Sequence, residues 1–127
     1  MNIHPDHRDD LYKSGITDET IGAAGIFSVP PDKIKKALGW NAPVTSLLAF
    51  PYGNGFTRYK LFPPLINKEG RAQKYSQQKG SGLHLYLPPK FDIGADCLRI
   101  TEGEKKALKG SQEGLNVSAL GGIWNFG

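Results

Sequence analysis

Residues 98–122, LRITEGEKKALKGSQEGLNVSALGG, decide the fold class. Leu98-Arg99-Ile100-Thr101 is short, leans apolar and ends β-branched, which is strand character. Glu102-Gly103-Glu104 breaks that run. Ala107, Leu108 and Leu115 then recur at helical spacing, with Lys105, Lys106, Lys109 and Gln112 between them. Gly114 supplies a helix stop. Asn116-Val117-Ser118-Ala119-Leu120 reads as a second strand, closed by Gly121-Gly122. Strand, helix and strand at this spacing predict two parallel strands joined by a crossover. Ligands of open α/β sheets gather outside the carboxyl ends of the strands. Glu102 stands at such an end, and Gly103 lets the backbone turn sharply after it.

Upstream, three short helices are expected. The first covers Asp6 to Ser14, with Leu11 and Tyr12 inward and Gly15 as its stop. Thr17 is a good N-cap for the second, which buries Ile21 and Ala24 and ends at Gly25. The third runs from Asp32 to Leu38, with Ile34, Ala37 and Leu38 inward and Lys33, Lys35 and Lys36 outward. His4 and His7 are three apart, but Pro5 argues against a helix carrying both, and they read as terminal, solvent-facing histidines.

Strands follow. Val44 to Pro51 reads as buried, Gly53-Asn54-Gly55 as a turn, and Phe56 to Phe62 as the antiparallel partner, ended by Pro63-Pro64. Gln73 to Ser76 and Leu83 to Leu87 are two further short strands. The fold class is therefore α+β. Residues 1–92 form an amino-terminal unit, with helices within 6–39 and antiparallel strands within 44–88. Residues 93–127 form a partial β-α-β unit, in which Trp124 and Phe126 would plug an uncovered sheet edge.

The chain has 127 residues, enough for one folded core. Two Trp, five Tyr and six Phe argue against disorder. Its single cysteine, Cys97, excludes an internal disulfide and a multi-cysteine zinc site. The sequence lacks a long apolar run and a signal-peptide pattern, so the expectation is a soluble, cytoplasmic chain without membrane partners.

The net charge of +4 is unevenly spread. The start is acidic, with Asp6, Asp9, Asp10, Asp18 and Glu19 against Arg8 and Lys13. Between residues 58 and 79 the balance reverses: Arg58, Lys60, Lys68, Arg71, Lys74 and Lys79 face Glu69 alone. Tyr59, Phe62 and Tyr75 interleave with these cations, a pattern suited to a phosphate backbone and stacked bases. A solvated sheet face is the plain alternative.

Ile100-Thr101-Glu102-Gly103, the amphipathic helix, Gly114 and the strand ending in Leu120-Gly121 resemble the opening of a toprim domain. That is the metal-dependent catalytic domain of bacterial-type DNA primases, topoisomerases and some nucleases. Its apolar strand ends in a Glu-Gly pair, which Glu102 and Gly103 match. Upstream segments are similar, in order, to the subdomain that precedes toprim in the primase core. They are Ser14-Gly15-Ile16-Thr17-Asp18-Glu19-Thr20-Ile21, Ala49-Phe50-Pro51-Tyr52 followed by Arg58, Lys74-Tyr75-Ser76, and Gly82-Leu83-His84-Leu85-Tyr86. The likeness points to primase-like proteins of phages, plasmids and other mobile elements.

The resemblance implies phosphoryl transfer in a full-length parent, with Mg2+ as cofactor and Glu102 as a catalytic, metal-binding carboxylate. It implies single-stranded DNA and nucleotides as partners, and a helicase or the rest of the parent protein as further ones. Arg58, Lys60, Arg71, Lys74, Tyr75 and Lys79 are the candidate template or nucleotide contacts. The family glutamate works with a later Asp-x-Asp motif, which residues 1–127 lack. Glu104 and Glu113 are the only nearby acids, and Glu113, at the far end of the helix, cannot reach Glu102's side, so the ligand set is incomplete. The expectation is a carboxy-terminally truncated relative that binds nucleic acid, holds metal weakly or not at all, and does not polymerise alone. Two other readings stay open. One is a protein-binding module or inhibitor encoded by a mobile element. The other is a toprim nuclease completed by another chain.

Overall fold

The computed structural model describes residues 3–53, 55–77, 84–89 and 99–121. The chain is α+β, with amino-terminal helices, a four-stranded antiparallel sheet, and a carboxy-terminal helix flanked by short strands. In order the elements are α1 (Pro5–Lys13), α2 (Asp18–Ala24), β1 (Phe27–Val29) and a 3-10 turn (Pro31–Lys33) that leads into α3 (Ile34–Leu38). Next come β2 (Ser46–Pro51), β3 (Thr57–Ile66), β4 (Ala72–Ser76) and β5 (His84–Tyr86). The last three are β6 (Arg99–Glu102), α4 (Glu104–Gln112) and β7 (Val117–Gly121).

The helix boundaries follow local chemistry. Pro5 starts α1, where its missing N–H costs nothing, and the His4 ring accepts from Asp6 N at 3.1 Å. The Thr17 hydroxyl caps α2 by accepting from Thr20 N at 3.3 Å. Gly25 and Gly39 end α2 and α3 as expected.

The first sheet has the order β1-β2-β3-β4, with every pair antiparallel. The second has the order β5-β7-β6; β6 runs parallel to β7, and β5 antiparallel to it. Two expectations change here. β5, which the sequence groups with the amino-terminal strands, pairs with β7. β3 also does not stop at Pro63-Pro64 but runs on to Ile66. Its pairing with β2 ends at Phe62, and its register with β4 shifts between Lys60 and Leu65. The prolines therefore sit where the ladder is already irregular and a missing N–H is tolerated.

Each face of the four-stranded sheet has its own core. On one, Val29, Leu47, Ala49 and Leu61 pack with Ile34 and Leu38 of α3. On the other, Leu48 and Phe50 join Leu11, Ile21, Ala107, Leu108, Val117 and Tyr86. That second cluster takes side chains from both sides of residue 92, so the amino-terminal unit and the β-α-β unit share one core. A Cβ on Gly110 would lie 2.8 Å from Val117 Cγ2, so α4 seats this closely on β7 only with glycine there. Gln112 ties α4 to the α1–α2 turn: its Oε1 accepts from Thr17 N at 2.8 Å, and its Nε2 donates to Gly15 O at 2.7 Å. None of the described helices is long and apolar enough to cross a membrane.

Candidate nucleic-acid interface

The predicted Glu-Gly turn lies where the strand pattern puts it. Glu102 is the last residue of β6, opposite Leu120 of the parallel strand β7. Gly103 follows with φ +86° and starts α4. An L side chain rarely adopts that conformation, so glycine is what allows so abrupt a strand-to-helix turn. The Glu102 side chain lies outside the described part of the structure. Magnesium takes several oxygen ligands. Among the described residues no three of His, Cys, Asp and Glu gather as a metal site.

The basic segment is divided by the pleat. β3 turns Arg58 and Lys60 toward α1 and α4, not toward solvent; their side chains are only 11% and 12% exposed. Both meet acids that the segment itself does not contain. Arg58 faces the fully buried Glu104, with Nη1 at 3.5 Å from Oε1. Tyr52 OH donates to Glu104 Oε2 at 2.8 Å. Glu104 Oε1 and Arg58 Nε find no hydrogen-bond partner among the described residues, so charge, not a bidentate bond, joins this pair. Lys60 Nζ donates to both oxygens of Asp10, at 2.9 and 2.8 Å, and Lys105 Nζ reaches the same carboxylate at 3.2 Å. The expectation of an unpartnered basic strand face is thus corrected for these two residues. Their counter-charges come from α1 and α4.

The electrostatics follow from that arrangement. Burial alone would raise the Asp10 carboxyl, but hydrogen bonds and charge from Lys60 and then Lys105 outweigh it and hold the group below the ordinary carboxylate range. Lys60 is pushed down by burial, with Lys105 adding repulsion, because two ammonium groups share one carboxylate. Burial, reinforced by the Glu104 charge, drives the Tyr52, Tyr75 and Tyr86 hydroxyls upward, so all three stay protonated. Tyr75 lies beneath Arg58, whose guanidinium carbon is 4.7 Å from the ring centroid.

Arg71 and Lys74 are exposed, as is Lys68 in the turn between β3 and β4. Asn67 shapes that turn: its Oδ1 accepts from Glu69 N at 3.0 Å and from Arg71 N at 2.8 Å. Strand alternation puts Lys74 on the opposite side of β4 from the half-buried Tyr75. Lys79 lies outside the described residues.

His7 overturns its sequence reading. It is fully buried, with Nδ1 2.6 Å from Ser28 Oγ and Nε2 2.8 Å from Ser46 Oγ. Its ring lies 4.2 Å from that of Phe62. Burial, then the neighbouring His4, lowers its pKa to about 4. The sequence signal was available: on a helix starting at Pro5, His7 and Leu11 are four apart and share a face. Sequence reasoning also left Glu104 unassigned. Its clue was its place as the first helical residue after Gly103, next to a core-facing stripe.

Comparison with protein-family models, with curated proteins and with solved structures finds no match.

Proposed function

We propose that this chain is the nucleic-acid-binding part of a primase-type, toprim-containing replication protein. The observation that carries the reading is the strand-end turn: Glu102 closes a parallel strand, and a positive-φ glycine starts the following helix. In this reading Glu102 is the carboxylate that would bind Mg2+, together with acids the described residues do not supply. The β3–β4 hairpin contributes the phosphate contacts through Arg71 and Lys74, with Lys68 at its turn. Arg58 and Lys60 act on the hairpin from beneath, by fixing Tyr75 and β3 to the helical layer. Neutralising strand phosphates releases counterions, so affinity must fall with salt.

The test is fluorescence anisotropy of a labelled single-stranded oligonucleotide, titrated with protein over a range of salt concentrations. Arg71→Glu with Lys74→Glu is expected to weaken binding at least about tenfold and to flatten the log–log salt slope by roughly 1.4, or about 0.7 per lost contact. Its unfolding midpoint should match the wild type, since both side chains are exposed. Equal affinity and equal slope in the two proteins would remove the hairpin from the interface.

A further inference from the structure

A groove of about 1460 Å³ opens at one end of the antiparallel sheet, between the start of α1 and the 3-10 turn with α3. Thr45 and Ser46, where β2 begins, lie along it. Its charged lining is Arg8, Lys33 and Lys36 against one carboxylate, Asp6. Arg8 is engaged by Asp18 and by the Tyr12 hydroxyl. Lys33 and Lys36 are exposed, form no ion pair among the described residues, and sit three apart, Lys33 at the end of the 3-10 turn and Lys36 within α3. They therefore offer two adjacent ammonium groups to an incoming anion.

The same side of the groove carries two half-buried rings. Phe27 pairs with Ala49 across β1 and β2, and Ala49 pairs with Tyr59 across β2 and β3. Phe27 and Tyr59 thus stand in one cross-strand row, with only a methyl group between them, and both line the groove. They belong to the sheet face that α3 covers, the helix that presents Lys36. Aromatic faces beside unpaired cations suit a base and its phosphate.

We infer that this groove binds a nucleotide unit, with the base against Phe27 and Tyr59 and the phosphate on Lys33 and Lys36. The unit is a free nucleotide or one residue of a single strand. The groove shares Tyr59 with β3 but includes none of the hairpin's exposed cations, Lys68, Arg71 and Lys74, and it does not need the toprim reading.

The experiment compares ATP, inorganic phosphate and a single-stranded oligonucleotide by calorimetric titration of the full chain in magnesium-free buffer. The proteins are wild type, Lys33→Ala with Lys36→Ala, Tyr59→Leu, and Arg71→Glu with Lys74→Glu. The lysine pair is exposed, so its loss leaves the fold intact, and matched unfolding curves check this for every variant. The expected result is at least a tenfold loss of affinity in the lysine variant and a smaller loss in Tyr59→Leu. Binding of ATP that is lost this way identifies a free nucleotide as the occupant. Oligonucleotide binding that is lost this way, with no ATP binding, identifies a strand. Phosphate binding as tightly as ATP, or affinities indifferent to Lys33 and Lys36, would overturn the inference. The Arg71/Lys74 variant keeps the two proposals apart, because those two cations do not line the groove.

Discussion

The two faces of the four-stranded sheet are closed by different chemistry. The α3 face is apolar throughout: Val29, Leu47, Ala49 and Leu61 meet Ile34 and Leu38, all supplied by residues 29–61. The opposite face mixes Leu48 and Phe50 with Arg58, Lys60 and His7, and it is closed by α1 and α4. On the first, apolar side chains of similar volume can replace one another at small cost. On the second, the buried polar groups depend on particular partners, and removing the acid that faces Arg58 or Lys60 strands a charge. The contrast separates a face specified by shape from one specified by pairing.

The largest expected effect comes from neutralising the central acid. Glu104→Gln keeps an acceptor for Tyr52 OH but leaves the Arg58 guanidinium buried without a counter-charge, so it should cost about 3–5 kcal/mol. A near-isosteric change on the other face, Leu61→Met, should cost less than about 1.5 kcal/mol. Urea unfolding of the two variants is the comparison. Equal losses would erase the distinction between the faces.

Acid provides a second, smaller test. His7 is neutral in the folded chain down to about pH 4, whereas the unfolded chain takes up the proton near pH 6.5. The unfolded state therefore binds more protons in this window, and stability falls as the pH drops from 6.5 to 4. At 1.36 kcal/mol per unit the loss is roughly 3 kcal/mol. Asp10 has the depressed pKa of a paired carboxylate, so its stabilisation is lost only deeper in acid, below the ordinary carboxylate range. His7→Asn should flatten the profile between pH 6.5 and 4. A slope unchanged in that variant would place the titration elsewhere.

The smallest expected change is at the joint between α4 and the amino-terminal helices. Thr17→Ala removes the cap of α2 and the hydroxyl contact to Gln112 Oε1, but keeps the backbone N–H donor. A loss of about 1 kcal/mol is expected in thermal or urea unfolding.

What could be read from the sequence was local. Thr17 and Gly25 bracket α2 because capping is settled within one turn, and Gly53 with Gly55 marks the reversal between β2 and β3. The Glu102-Gly103 turn was legible because strand, breaker and helix are contiguous. What escaped depended on distant partners. β5 joins β7, more than thirty residues away, and no local pattern specifies that pairing. The strand β3 outran Pro63-Pro64 because register with β4, not residue type, decides where it ends. Arg58 and Lys60 read as free cations because Glu69 is the one acid among their chain neighbours. Asp10 and Glu104 come from opposite ends of the sequence.

The dependence of Arg58 on Glu104 also bears on the order of events during synthesis. Translation delivers the amino end first, so β2 and β3 emerge well before α4. A growing chain can close its α3 side early, while the guanidinium on the reverse side still faces water. Docking of α4 then desolvates that cation and supplies its acid in a single act. Closure of this sheet face is accordingly expected to be a late step that waits for α4.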